Sequence, residues 1–90
     1  MEGNYPAAIK EYDEGVRRDP QSTKIYANRS QAYVKLMEFP MAMRDIEKAL
    51  ELDPKFVKAY ARKGQIHVGM KEFHKALAAY DKGLAIEPDN

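Results

Sequence analysis

The chain of 90 residues contains no cysteine, which excludes disulfide bonds, a thiolate nucleophile and zinc sites that depend on cysteine ligands. It also lacks a long apolar run: none approaches the length of about 18 residues that a membrane span needs, and the N-terminal stretch MEGNYPAAIK does not resemble a signal peptide. The net charge is small as well, because 15 basic and 14 acidic side chains leave a formal charge of +1. We therefore expect a single cytoplasmic domain without an overall field that would attract nucleic acid or a membrane surface.

What the sequence does contain is a period of 34 residues, marked by Pro20, Pro54 and Pro88. Further positions keep the same step, among them Tyr5/Phe39/Phe73, Ala8/Ala42/Ala76, Ile9/Met43/Leu77, Tyr12/Ile46/Tyr80, Gly15/Ala49/Gly83 and Val16/Leu50/Leu84. A period of this length indicates stacked repeats, in which each unit buries its apolar face against its neighbours.

Apolar residues within each period recur at helical spacing in two segments, so each repeat predicts two helices. The prolines at the period boundaries end the second helix, because the residue before a proline is displaced from the α region. We predict an all-α superhelix, a solenoid of about two and a half helix-turn-helix repeats. Its helices are expected at about 5–18, 22–37, 40–52, 56–70 and 73–86. The predicted domain covers 1–90, with the second helix of an incomplete first repeat at 1–20, the second repeat at 21–54 and the third at 55–88.

The predicted first repeat lacks its first helix, and Gly3-Asn4 then forms the turn that precedes the helix at 5–18. About three repeats are usually needed for stability, so this helix is expected to be under-covered. We therefore expect self-association, or exchange of helices between chains. Light scattering that shows a monomer at every concentration would contradict this expectation.

Charge is unevenly distributed among the predicted helices. The segments 22–37 and 55–71 contain no acid. Their cations are Lys24, Arg29, Lys35, Lys55, Lys58, Arg62, Lys63 and Lys71. In a solenoid of helix pairs the first helices line the concave face, so the pattern predicts a positive groove.

Two rows of side chains, stepping by three or four residues, should face this groove. They are Lys24, Ala27, Asn28, Gln31, Val34 and Lys35 on the earlier helix and Lys58, Ala61, Arg62, Gln65, Val68 and Gly69 on the later one. The small residues leave room for a ligand backbone, and the amides can hydrogen-bond to it in either polarity. The groove therefore suits an extended peptide.

The repeat spacing resembles the tetratricopeptide repeat in two copies, Tyr26…Ser30…Tyr33…Ala42…Ile46…Ala49…Pro54 and Tyr60…Gly64…His67…Ala76…Tyr80…Gly83…Pro88. The segments YANRSQAYVKL, DPKFVKAYARKG and MKEFHKALAAYDKGL look like the chaperone-binding repeats of co-chaperones of the Hop, or stress-induced phosphoprotein, type. That resemblance implies a peptide-binding adaptor that holds the acidic C-terminal tail, of the Glu-Glu-Val-Asp kind, of heat shock protein 90 or 70.

In that family a carboxylate clamp of side chains from three helices holds the tail. The resemblance places Asn28 on the clamp asparagine of the second repeat, and Lys58 and Arg62 on the lysine and arginine of the third. Lys58 and Arg62 lie one helical turn apart and can reach the same carboxylate pair. The other clamp residues belong to the missing first helix, so the predicted clamp is partial. Accessory peptide contacts are expected at Lys24, Gln31, Lys35 and Gln65.

Other functions have weaker support in the sequence. No histidine or carboxylate cluster has metal-ligand spacing, and neither a phosphate-binding glycine loop nor a nucleophile with its base is present, so we expect no metal, cofactor or enzymatic activity. Nucleic-acid binding is disfavoured because the groove lacks exposed stacking aromatics. Arg29 and Lys63 are expected to pack their stems on adjoining helices, and His67 to pack between helices. Two alternatives remain, a self-assembling structural fragment without intact peptide binding and the targeting domain of an enzyme such as a phosphatase or prolyl isomerase.

Overall fold

The computed structural model describes residues 3–88. In this part of the chain it contains five helices and no strand: α1 (Tyr5–Arg18), α2 (Thr23–Lys35), α3 (Phe39–Leu52), α4 (Val57–Gly69) and α5 (Phe73–Ile86). The predicted bounds agree with these to within two residues, and the all-α superhelix is confirmed. Over the same residues, no helix has the length and apolar character that crossing a bilayer requires.

Side-chain caps begin the first two helices. The side-chain oxygen of Asn4 accepts a hydrogen bond from the backbone N–H of Ala7 at 3.3 Å, and Ser22 accepts one from Ile25 at 3.4 Å. Each bond satisfies one of the amide groups that a helix start leaves unpaired. Asn4 therefore belongs to the turn before α1, as its place in the period predicts.

The turn inside each repeat places an ordinary residue in a left-handed backbone conformation. Met37 has a φ of 60° and Lys71 a φ of 61°, and Gly3, at the same repeat position, has a φ of 97°. The N–H of Met37 donates to the carbonyl of Val34 at 2.9 Å, and the next N–H along the chain donates to the carbonyl of Tyr33 at 2.9 Å. The turn at Lys71 repeats both bonds, so each is a Schellman motif without the usual glycine.

The core lies between the two helices of each repeat and contains many small residues. Ala42, Ile46, Ala49, Ala59 and Ile66 are completely buried. The small side chains of the three alanines let helix backbones approach closely, as ridge-into-groove packing between helices requires. The residues with the 34-residue period therefore set the spacing of the helices.

Gly64 shows how a small residue accommodates a large one in this core. A Cβ added to Gly64 would lie 2.8 Å from Cδ1 of Tyr80 and still closer to other atoms of the ring. The matching positions of the second repeat hold Ser30 and Ile46, and there the Ser30 hydroxyl donates to the carbonyl of Ala42 at 2.8 Å. The smaller Ile46 thus coexists with a serine, whereas Tyr80 requires a glycine.

Arg29 joins three helices. Its Nε and Nη2 donate to the two carboxylate oxygens of Asp45 on α3 at 2.8 and 2.7 Å, and its Nη1 donates to Asp13 on α1 at 2.9 Å. The hydrogen bond with Asp45 raises the pKa of the Arg29 guanidinium above its ordinary value. The sequence predicted stem packing for Arg29; the structure shows that its charged end also forms a bidentate, largely buried ion pair.

The ends of the stack differ from its middle. No residue of α1 is buried, because only α2 packs against it among the described elements. In the last repeat, His67 is 8% exposed and its Nδ1 lies 2.9 Å from Oε1 of Glu72. That hydrogen bond lowers the pKa of the Glu72 carboxyl. The exposure of α1 agrees with the expected self-association, which stays a prediction.

Candidate functional site

A cavity of about 540 Å³ lies between α2 and α4, the first helices of two successive repeats. Its lining includes four of the seven predicted site residues, Lys24, Asn28, Lys58 and Arg62. We call this cavity the groove site. Lys24 and Asn28 come from α2, one helical turn apart, and Lys58 and Arg62 come from α4 with the same spacing. The site therefore exists only because the two repeats stack.

Arg62 is the least accessible of these four residues. Lys24, Asn28 and Lys58 are exposed, whereas Arg62 is partly buried, and its burial lowers the pKa of the guanidinium. Arginine nevertheless stays charged at neutral pH. Its Nε is buried and finds no hydrogen-bond partner among residues 3–88. The guanidinium is thus fixed in place with incomplete hydrogen bonding.

Gln31 holds the Arg62 guanidinium from the neighbouring repeat. Nη1 of Arg62 donates to Oε1 of Gln31, which connects α4 to α2. Gln31 was predicted to contact a peptide, but it does not line the groove site. In the structure, Gln31 orients the Arg62 guanidinium.

The remaining two predicted residues lie apart from the others. Lys35 is the last residue of α2 and Gln65 lies on α4; both are exposed and neither lines the groove site. Ala27, expected to face the groove and to leave room for a ligand backbone, lines the groove site with a small side chain that is only 4% exposed.

Besides Ala27, which was placed on the groove face only, four lining residues were not predicted as site residues, namely Lys55, Phe56, Val57 and Glu87. Lys55 and Phe56 directly precede α4, and Val57 is its first residue; Phe56 takes an extended backbone. A signal for Lys55 was present, since it belongs to the acid-free segment 55–71. Phe56 and Val57 add an apolar wall, which charge patterning does not reveal.

The chemistry of the site is that of a receptor for carboxylates. Three lysines and one arginine line it together with a single acid, Glu87. Ammonium and guanidinium groups form charge-assisted hydrogen bonds to carboxylates, which are about twice as strong as neutral ones. Asn28 can donate and accept, so it suits a peptide backbone or a carboxylate. The apolar wall would contact the stems of a ligand's side chains.

Comparison with protein families gives two matches. The family models described as Tetratricopeptide repeat match residues 23–56 and 57–90. Among curated proteins, the chain is 49% identical over 37 residues to stress-induced-phosphoprotein 1 of Caenorhabditis elegans, which is 41% of this chain and 12% of that protein. It is 50% identical over 32 residues to the Hsp70-Hsp90 organizing protein of Triticum aestivum, which is 36% of this chain and 6% of that protein. The matched segments are thus a small part of these relatives.

Solved structures match almost the whole chain. The first tetratricopeptide repeat domain of Spaghetti (RPAP3), bound to the HSP90 peptide SRMEEVD, superposes with a TM-score of 0.93 at 33% identity, over 98% of this chain and 70% of that one. The TPR2B domain of yeast Sti1, in its Hsp70 complex, gives a TM-score of 0.91 at 40% identity, over 96% of this chain and 69% of that one. Both similarities extend over all five helices.

Proposed function

The chain belongs to the tetratricopeptide repeat family, and from this premise we propose that it is an adaptor module that binds the acidic C-terminal tail of a heat shock chaperone, of the Hsp90 or Hsp70 class. The tail would lie in the groove site, with its carboxylates on Lys58 and Arg62 and its backbone on Asn28. As part of this proposal, the adaptor belongs to a co-chaperone of the cytoplasm.

The observation that carries the proposal is the convergence of Lys24, Asn28, Lys58 and Arg62 on one cavity. Two structural relatives that resemble this chain at 33% and 40% identity are described as bound to HSP90 or Hsp70 partners, in one case through a peptide that ends in Glu-Glu-Val-Asp. The cavity has the positive charge that such a tail would need.

The expected strength follows from the number of charged contacts. A hydrogen bond to a charged group contributes roughly 1.5–3 kcal/mol. Three or four such contacts, reduced by the loss of freedom on binding, suit a micromolar complex, which corresponds to about 8 kcal/mol. Gln31 supports this function as a positioning residue, because its bond to Arg62 holds the guanidinium toward the groove site before a ligand arrives.

The test is a calorimetric titration with a Met-Glu-Glu-Val-Asp peptide and with the same peptide amidated at its C-terminus. We expect the acid to bind more tightly than the amide, and raised salt to weaken the binding. Arg62→Ala should weaken it by about 2 kcal/mol, or roughly 30-fold. Arg44→Ala, which removes an exposed arginine of α3 outside the groove site, is the matched control and should leave the affinity unchanged. Equal affinities for acid and amide would refute the proposal.

A further inference from the structure

The second and third repeats contain corresponding cavities between their own two helices. The repeat-2 cavity, of about 300 Å³, is lined by Tyr26, Arg29, Met41, Arg44, Asp45 and Lys48. The repeat-3 cavity, of about 350 Å³, is lined by Tyr60, Lys63, Lys75, Ala78, Ala79 and Lys82, each 34 residues later, together with Glu47 and His67. Neither cavity shares a lining residue with the groove site.

In the lining of the repeat-2 cavity, a carboxylate pairs with the arginine. Both oxygens of Asp45 accept hydrogen bonds from Arg29, at 2.7 and 2.8 Å, and only 6% of the Asp45 side chain is exposed. This cavity therefore satisfies its own cation with a side chain of the same repeat.

The repeat-3 cavity has the cation without the carboxylate. Lys63 replaces Arg29, and Ala79, which is 5% exposed, replaces Asp45. Each lining has three cations: Lys75 and Lys82 stand where the repeat-2 cavity has Met41 and Lys48, and Ala78 replaces Arg44. Glu47 is the only acid in the lining, and within residues 3–88 neither Lys63 nor Lys82 forms an ion pair.

We propose that the repeat-3 cavity is a second docking site, which receives an aspartate or glutamate side chain from an acidic segment of a partner protein. The carboxylate would take the place that Asp45 holds in the repeat-2 cavity and would pair with Lys63. A carboxylate, rather than a phosphate, is favoured because it is what the matching cavity holds. The ring of Tyr60 and the methyl group of Ala79 offer apolar surface for the methylene stem of the incoming residue. The partner could thus be held at two sites at once.

The test uses the whole chain, labelled with ¹⁵N, and an oligo-glutamate peptide blocked at both ends. Arg62→Ala serves as the background, because it weakens the groove site. In this background we expect the peptide to shift the backbone amide signals of Lys63, Ala79 and Lys82. Lys63→Ala should weaken the response about threefold, as for a partly exposed ion pair. Ala79→Asp should remove most of it, because the protein then supplies the carboxylate itself.

Three controls make the result decisive. A blocked oligo-glutamine peptide should cause no shift, and Lys10→Ala, an exposed lysine of α1, should not change the response. Inorganic phosphate at the same concentration should shift the signals less; an equal shift would show a general anion site and overturn the carboxylate assignment. The proposal also fails if the three signals do not move, or if they move equally in the Lys63→Ala variant, whose amide spectrum also reports whether this half-buried position tolerates the change. Since the groove site is tested separately, failure here leaves the proposed function untouched.

Discussion

The left-handed turn at Met37 leads to a stability prediction of unusual sign. Replacing Met37 by glycine removes the clash between Cβ and backbone that a φ of 60° imposes, which costs an L-residue roughly 1–2 kcal/mol. The side chain is 74% exposed, so its removal forfeits little apolar burial. Against this gain, glycine loses about 0.4–1 kcal/mol more on folding because its unfolded chain is freer. We therefore expect Met37→Gly to raise the free energy of unfolding by about 0.5–1 kcal/mol.

Urea unfolding followed by far-ultraviolet circular dichroism measures this change. Lys71→Gly should stabilise by a similar amount, because the second turn has the same geometry. Met41→Gly is the control: it makes the same substitution within α3, where glycine costs about 1 kcal/mol. The reasoning is refuted if Met37→Gly destabilises the protein as much as Met41→Gly does. Met37→Ala should be nearly neutral, which separates the backbone effect from loss of the side chain.

Two further substitutions test the packing and the buried ion pair, each by the same unfolding assay. Gly64→Ala should destabilise by about 1–3 kcal/mol, because the added methyl group meets the Tyr80 ring; a neutral result, or no recovery when Tyr80 is also changed to leucine, would contradict this contact. Asp45→Ala should cost about 3 kcal/mol, since it leaves the Arg29 guanidinium without its bidentate partner. Changing Arg29 to methionine in the same chain should restore much of that loss, and an equal or larger loss in the double variant would argue against the pair.

The helices were predictable because the information for them is local. Apolar spacing and the prolines at 34-residue intervals located each helix to within two residues. The same spacing predicted that Lys58 and Arg62 share one face of α4 and that Lys24 and Asn28 share one face of α2, and the structure brings the two pairs to one cavity. Their roles in binding stay a prediction until the titration is made.

What the sequence did not reveal depends on how the helices pack. Phe56 and Val57 contribute to the groove site because α4 packs beside α2, and no local pattern specifies that contact. The pairing of Arg29 with Asp45 joins residues that are 16 positions apart and lie on different helices. Side chains contact each other within one helix only at spacings of three or four residues, so helical periodicity does not predict this pair. The role of Gln31 also depends on packing. Its spacing placed it on the groove face, and the packing of α4 against α2 brings its side chain to Arg62.

The hydrogen bond between Gln31 and Arg62 crosses the junction between two repeats, and this has a mechanical consequence. A stack of repeats is an elastic body that bends mainly at its junctions, because each repeat contacts only its neighbours. A ligand that binds α2 and α4 at once adds further contacts across the same junction. Occupancy of the groove site should therefore stiffen the superhelix, so that the curvature of the array depends on whether a ligand is bound.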